Sequence, residues 1–238
     1  MGKIKKAVRR AAEKVKQFTA WSYSRYKDHR TCPRFAHWKH ILKKPEGPKS
    51  PAMQRGGDIH KEGELYLLGK KRIVPASFKA FAAEVAVLRK SKAIAEGKWA
   101  MTAAWKAIDF FDWTHAWCRV VLDAHFMPTK TRFRVIDFKT GKVYLDDNLE
   151  QMELYAISGF EHYPTAEEGD TELWYLDQPR GRGNPLVKSW KRSQMPALQA
   201  KWRKKVIPIL MDKRFVPNPN FTCGRCPYSK RKGGECKF

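Results

Sequence analysis

Two segments carry charged side chains inside apolar runs. RVIDFKTGK (134–142) sets Asp137 and Lys139 two residues apart in a stretch that otherwise reads as a strand, and CRVVLDAHF (118–126) carries Asp123 in a similar frame. Charged groups are rarely buried unless they are paired or put to use. Strand side chains alternate, so Asp137 and Lys139 share one face while Ile136 and Phe138 point to the other, the core face. Acid-x-Lys also occurs at Glu96 and Glu235, so the tripeptide by itself carries little. Only at Asp137 does it sit in an apolar strand followed by a turn, Thr140-Gly141. MPTKT, between the two runs, has the length of a hairpin loop, which brings Asp123 beside Asp137. Two carboxylates on neighbouring strands repel unless a cation sits between them, and hard oxygen ligands suit Mg²⁺ or Mn²⁺. A lysine at such a place can orient a water or stabilise charge on a phosphate. The same residues also fit two unconnected acids at a solvent-facing edge.

Other candidates are spaced for a helix. His60 and Glu64 are four apart and share a helix face, as do Gln151 and Tyr155 in NLEQMELYAISGF. A lone histidine is commonly a satisfied surface or core residue, and a Gln/Tyr pair fits a polar helix face with one packed aromatic. The tail holds Cys223-x-x-Cys226 with Cys236 beyond it, a spacing that suits a metal, for which Cys32 is the available fourth ligand. Reduced thiols in a basic, irregular end are the alternative. Cys118, in a strand-like run, reads as a buried apolar residue. An odd number of cysteines and no export signal argue against a disulfide framework.

The elements that must position these groups follow from pattern and charge. With 48 Lys+Arg against 24 Asp+Glu the formal net charge is +24, which points to a polyanion, nucleic acid before an anionic membrane. No apolar run reaches the length needed to span a membrane. Residues 1–20 read as a basic N-terminal helix, and Ser22 or Ser24 as a helix cap. Residues 43–52 read as a loop, with helix from about Asp58. Residues 76–95 read as one further helix, 118–126, 132–138 and 171–177 as strands, and 189–214 as a long basic helical segment interrupted at Pro196 and Pro208. Trp105 and Trp117 fit a core. Trp190 and Trp202, among many basic residues, fit either a base-stacking surface or a solvated helix face.

In order along the chain, Arg55-Gly56-x-x-x-His60, the LDA of Asp123, IDFKTGK with Asp137 and Lys139, and Gln151-Met-Glu-Leu-Tyr155 resemble the RecB-like branch of the PD-(D/E)XK nucleases. The set is most similar to small phage exonucleases and to CRISPR-associated RecB-like iron–sulfur nucleases, and it covers residues 20–238. The resemblance implies an α/β fold with a restriction-endonuclease-like mixed central sheet flanked by helices and a C-terminal cysteine cluster region. It implies a nuclease domain over 21–215 and a cysteine-rich tail over 216–238 that closes a metal cluster with Cys32. It also implies roles. His60, Asp123 and Asp137, with the carbonyl of Phe138, would ligate Mg²⁺ or Mn²⁺, Lys139 would be the catalytic lysine, and Gln151 and Tyr155 would help position DNA. Glu96 lies where relatives place another acid. Cys32, Cys223, Cys226 and Cys236 reproduce the one-plus-three layout of a [4Fe–4S] site, with Zn²⁺ the alternative. The nine-residue gap before Cys236 exceeds the relatives' spacing, and Asp123 lacks the preceding proline of a Pro-Asp pair. The implied activity is exonucleolytic hydrolysis of DNA with free ends, single strands included, in phage or prokaryotic recombination or repair. It would act in the cytoplasm of a prokaryotic or phage-infected cell, with a recombination protein as a possible partner. The rivals are a structure-specific or CRISPR-adaptation endonuclease and a non-catalytic DNA-binding module with structural zinc.

Overall fold

The computed structural model describes residues 17–143, 145–181 and 183–238. The first sixteen residues of the expected N-terminal helix lie outside that set. The described residues form two compact units, one from residues up to Gly47 together with Lys205–Phe238, the other Pro48–Lys204.

The larger unit is built on a six-stranded sheet of order β2-β1-β3-β4-β5-β6, with β1 Ile94–Met101, β2 Ala107–Ile108, β3 Cys118–Thr129, β4 Arg132–Lys139, β5 Glu168–Tyr175 and β6 Leu186–Lys191. Every neighbouring pair is antiparallel except β4 and β5. That parallel pair needs a crossover, supplied by helix α5, Leu145–His162. Strand β5 is buried along nearly its whole length because it is covered on both faces, which is why ELWY lacks a polar alternation. The mixed sheet flanked by helices matches the expected α/β class.

One face packs under helix α3, Pro51–Leu67, a 3₁₀ turn at Ala76–Phe81 and helix α4, Ala82–Lys90. Ile59, Tyr66, Phe78, Phe81 and Leu88 meet Ala124, Ile136, Phe138 and Trp174 there. Gly63 is required by this packing, since a Cβ on it would stand 2.7 Å from the Phe78 ring and 3.0 Å from that of Phe138. Helix α5 covers the other face. Phe133 of β4 packs edge-on to Phe160 of α5 with centroids 4.9 Å apart. Its ring fills the space left by bare Gly159 and Gly169, where added Cβ atoms would come within 2.3 and 2.2 Å. The fit lets the crossover helix lie close to the parallel pair.

Several boundaries differ from the sequence reading. Helix α3 begins at Pro51 and not near Asp58, because the Ser50 hydroxyl accepts from Met53 N and proline suits the first turn. The stretch 76–95 is not one helix. Its 3₁₀ turn and α4 end where Lys92 takes φ +54° and Ala93 N donates to Leu88 O, and β1 starts at Ile94. Strands β3 and β4 run on through most of the expected hairpin loop, with a register shift between Phe126 and Thr129. The segment 189–214 contains the end of β6 and helix α6, Met195–Leu210, which holds Pro196 in its first turn and Pro208 in its last. Trp190 and Trp202 are buried and hydrogen-bonded to Thr171 Oγ1 and Glu153 Oε2, so they are core residues rather than a stacking surface.

The smaller unit contains helices α1, Tyr23–Thr31, and α2, Pro33–Ala36, a π turn at His37–Ile41, the end of α6 and a tail with only short 3₁₀ turns at Phe221–Arg225 and Lys230–Lys232. Ser22, not Ser24, caps α1.

Candidate active site

The two aspartates sit where the ladder between their strands ends. Strand β3 pairs with β4 up to Ala124↔Ile136, which leaves Asp123 and Asp137 as the next residue on each strand, and there Phe138 N donates to the Asp123 side chain. On the other side the pairs Ala95↔Ala124 and Gly97↔Leu122 bracket Glu96 and Asp123. Glu96, Asp123 and Asp137 therefore occupy one row across three adjacent strands. Glu96 takes φ +52°, a left-handed backbone that is costly for a non-glycine residue. The next residue is necessarily glycine, because a Cβ on Gly97 would stand 2.4 Å from the His125 ring. His125 itself turns away from the row, its Nδ1 2.6 Å from Tyr163 Oη.

Asp123 is held from two directions. His60 of α3 brings Nδ1 to 2.7 Å from Oδ1, and Phe138 N donates to Oδ2 at 2.6 Å. The Phe138 ring meanwhile packs edge-on against Phe78 with centroids 4.8 Å apart. Burial drives the Asp123 carboxyl above its ordinary range, the neighbouring Asp137 charge adds to this, and the His60 hydrogen bond opposes it. Burial alone would lower the His60 imidazole, but the hydrogen bond and charge of Asp123 outweigh it and hold His60 above its ordinary value. Glu96 is also raised, by burial first and then by the charges of Asp123 and Glu64. Glu64, one turn after His60, thus belongs to the same electrostatic neighbourhood.

Asp137 belongs to a closed ring of four side chains. Tyr155 of α5 donates to Oδ1 at 2.5 Å, Gln151 Nε2 donates to Tyr155 Oη at 2.6 Å, Lys139 Nζ donates to Gln151 Oε1 at 2.7 Å, and Lys139 Nζ lies 2.6 Å from Asp137 Oδ2. That last contact is an ion pair without hydrogen-bond geometry, so the buried Oδ2 has no hydrogen-bond donor. Tyr155, 2% exposed, acts on the Asp137–Lys139 pair and not on the surface. The helical spacing of Gln151 and Tyr155 was legible. That both reach inward depended on the crossover helix.

Arg55, Gly56 and Asp177 hold the turn after Lys139. Arg55 makes a two-pronged contact with Asp177, at 2.8 and 2.5 Å, and Gly141 N donates to Asp177 Oδ2 at 2.7 Å. A Cβ on Gly56 would stand 3.2 Å from Thr140 Oγ1. Asp177 escaped the sequence reading because its partners are far away along the chain. The Arg55 hydrogen bond holds its carboxyl below the ordinary aspartate range. A depressed native value means that the stabilisation is complete above the unfolded value, about pH 4, and is lost as pH falls through the native one. Asp177→Asn is thus expected to lower the denaturant midpoint at neutral pH, with a difference from the parent that shrinks in acid. A difference that grows in acid would contradict the assignment.

In this conformation the aspartates are engaged by His60, Phe138 N, Tyr155 and Lys139. Among the described residues no group of three or more His, Cys, Asp or Glu side chains stands in metal-holding geometry. The donor set nevertheless fits a hard divalent cation. Crowded carboxylates raise one another, and Asp137 Oδ2 is a buried oxygen without a donor.

The four tail-and-helix cysteines, all in the smaller unit, line one pocket as free thiols. Asn218 N donates to Cys32 Sγ at 3.4 Å and Asn220 N to Cys223 Sγ at 3.3 Å. Burial, then the charges of Cys236, Cys32 and Cys223, raises the Cys226 thiol. Cys118 is fully buried in β3, as expected, and its thiol is driven far up.

No curated protein matches the chain. Among solved structures it is similar to SSO0001, at 14% identity over 94% of this chain and 91% of that one, with a TM-score of 0.47. It is also similar to a protein from Eubacterium rectale named as a candidate exonuclease, at 11% identity over 79% and 80%, with a TM-score of 0.44. Residues 119–231, which include Asp123, Asp137, Lys139, Gln151 and Tyr155, match the family model of the PD-(D/E)XK nuclease superfamily.

Proposed function

We propose that the chain is a metal-dependent deoxyribonuclease that hydrolyses phosphodiester bonds from DNA ends. The observation that carries this reading is the row of Glu96, Asp123 and Asp137 with Lys139 beside it, in a chain of net charge +24. An acidic cluster in so basic a protein fits a place where a cation and a phosphate meet. His60, Asp123, Asp137 and the Phe138 carbonyl would hold Mg²⁺ or Mn²⁺. When bound, such an ion lowers the pKa of a water and neutralises phosphate charge. Lys139 then orients the attacking water and balances charge on the phosphate, while Gln151 and Tyr155 fix the lysine and Asp137. The fully buried Tyr155 is a positioning residue in this scheme. Water attacks phosphorus and gives up a proton to solvent, the P–O bond to one sugar breaks, and that sugar oxygen takes a proton back from solvent.

Cys32, Cys223, Cys226 and Cys236 would hold a [4Fe–4S] cluster, with Zn²⁺ the alternative. Amide donors at two of the sulfurs support a thiolate site, since hydrogen bonds to ligating sulfur tune such centres. Recombination or repair in a phage or prokaryotic setting is the task that the resemblance supports. Among the described residues no helix is long and apolar enough to cross a membrane.

End-labelled linear DNA and circular single-stranded DNA, each with Mg²⁺, Mn²⁺ or EDTA, test the reading. Linear DNA should be digested with metal and survive in EDTA, and the circle should persist. Cutting of the circle would replace the exonuclease with an endonuclease. Binding without digestion under every condition would leave only a DNA-binding module.

A further inference from the structure

We propose that the loop between β2 and β3 is a stacking surface for unpaired bases of a DNA strand entering the acid row. The proposal rests on the nuclease reading and names the form of substrate that the site takes. Phe111 and Trp113 in this loop are 57% and 71% exposed. The two rings lie with centroids 6.4 Å apart, so they form one exposed aromatic patch and not scattered single residues.

Hydrogen bonds hold the backbone of the loop that carries the rings. Phe111 N donates to Asp109 Oδ1 at 2.7 Å, and Asp112 Oδ1 accepts from Thr114 N and His115 N at 3.0 and 2.8 Å. Arg119 of β3 reaches back to donate to Phe110 O and Asp112 O at 2.9 and 3.0 Å. Its guanidinium lies 4.3 Å from the Trp113 ring centroid, and Lys98 Nζ lies 5.7 Å from that of Phe111. The aspartates are thus occupied in shaping the loop, while the cations accompany the rings. A loop whose backbone is already held loses little entropy on binding.

The place of the loop in the sheet gives it a direction. Lys98 pairs with Val121 and Ala100 with Arg119. Glu96 is two residues from Lys98, and Asp123 is two from Val121. Lys98 and Val121 are exposed, so an open strip of β1 and β3 leads from the loop to the acids. Arg119 is four residues from Asp123, about 13 Å along an extended strand. A partner that offers flat rings and regular negative charge fits this strip, because each exposed ring has its own cation. Unpaired DNA does so, whereas a duplex keeps its bases stacked inside. A purely apolar protein partner would bury the positive charges of Lys98 and Arg119 and offer no counter-charge to either.

Fluorescence anisotropy in EDTA, where cutting is stopped, tests this with three probes of equal length: oligothymidine, an abasic strand and a duplex. Trp113→Ala should weaken oligothymidine binding about tenfold and leave the other two within about twofold, because stacking is worth about 1–3 kcal/mol per base. Trp113→Tyr should restore most of the loss. Equal loss on all probes, or none on oligothymidine, overturns the proposal, as does self-association in sedimentation that Trp113→Ala abolishes. Cleavage by the parent and by Lys139→Ala is measured in parallel. If Trp113→Ala has no effect while Lys139→Ala stops cutting, the platform fails and the nuclease stands. If the parent cuts nothing, the nuclease reading fails whatever the binding shows.

Discussion

Lys139→Ala is expected to slow phosphodiester cleavage about 10²–10⁴-fold while leaving DNA affinity within about threefold. The expectation follows from where the ammonium sits. It pairs with Asp137 Oδ2 and donates to Gln151 Oε1, so two elements, β4 and α5, fix it at the acid row. In the proposed mechanism a charge held this way faces the reacting phosphate, and it contributes little to general attraction in a protein with 48 basic residues. Alanine removes the ammonium but leaves Tyr155 on Asp137 and Phe138 N on Asp123, so the carboxylates keep their supports. Arginine should not restore the rate, because a planar fork cannot occupy the place of a compact point charge. Lys142→Ala, an exposed change just beyond the same turn, serves as the matched loss of charge and should alter neither rate nor affinity appreciably. A parallel fall of rate and affinity in Lys139→Ala would make Lys139 a phosphate contact only, and a parental rate would remove it from the site.

The acid pair was legible because its geometry depends on local rules. Strand alternation and a hairpin suffice to put Asp123 beside Asp137 and Lys139 on the face of Asp137. Glu96 was not legible by that route. Its segment continues an alanine-rich run with helical character, and its strand begins only after a left-handed residue ends α4. The resemblance located it where periodicity did not. Trp190 and Trp202 failed for a different reason. Lysines and arginines surround both, and charge density hid the alternation that buries one side of β6 and α6. Trp113, in a loop with no period, offered no such signal, and neither did the Arg55–Asp177 pair, whose partners are joined only by the fold. The cysteine set was legible as residue types. That all four line one pocket depends on the short helices of the smaller unit.

Cys226→Ser is expected to abolish visible absorption and bound iron in the purified protein and to lower the melting temperature of the smaller unit by about 10 °C or more. The proposed cluster would act as a staple for this unit. Its core is a small set of side chains, among them Phe18, Trp21, Tyr26, Trp38, Phe215 and Tyr228, and its tail has only short 3₁₀ turns. Tyr228 Oη donates to Lys44 O at 3.0 Å and Arg34 Nε to Phe215 O at 2.9 Å, but a few such bonds contribute only about 1 kcal/mol each. Small units with little core draw their stability from cross-links or metals. Serine keeps the volume of the cysteine and offers a poor ligand to a thiophilic centre. Cys118→Ser is the control. That thiol is fully buried in β3, outside the pocket, so its loss should destabilise the larger unit and leave iron content unchanged. Bound zinc in colourless protein would keep the four-cysteine site and replace its occupant. Parental protein free of both metals, melting together with Cys226→Ser, would reduce the four thiols to packing.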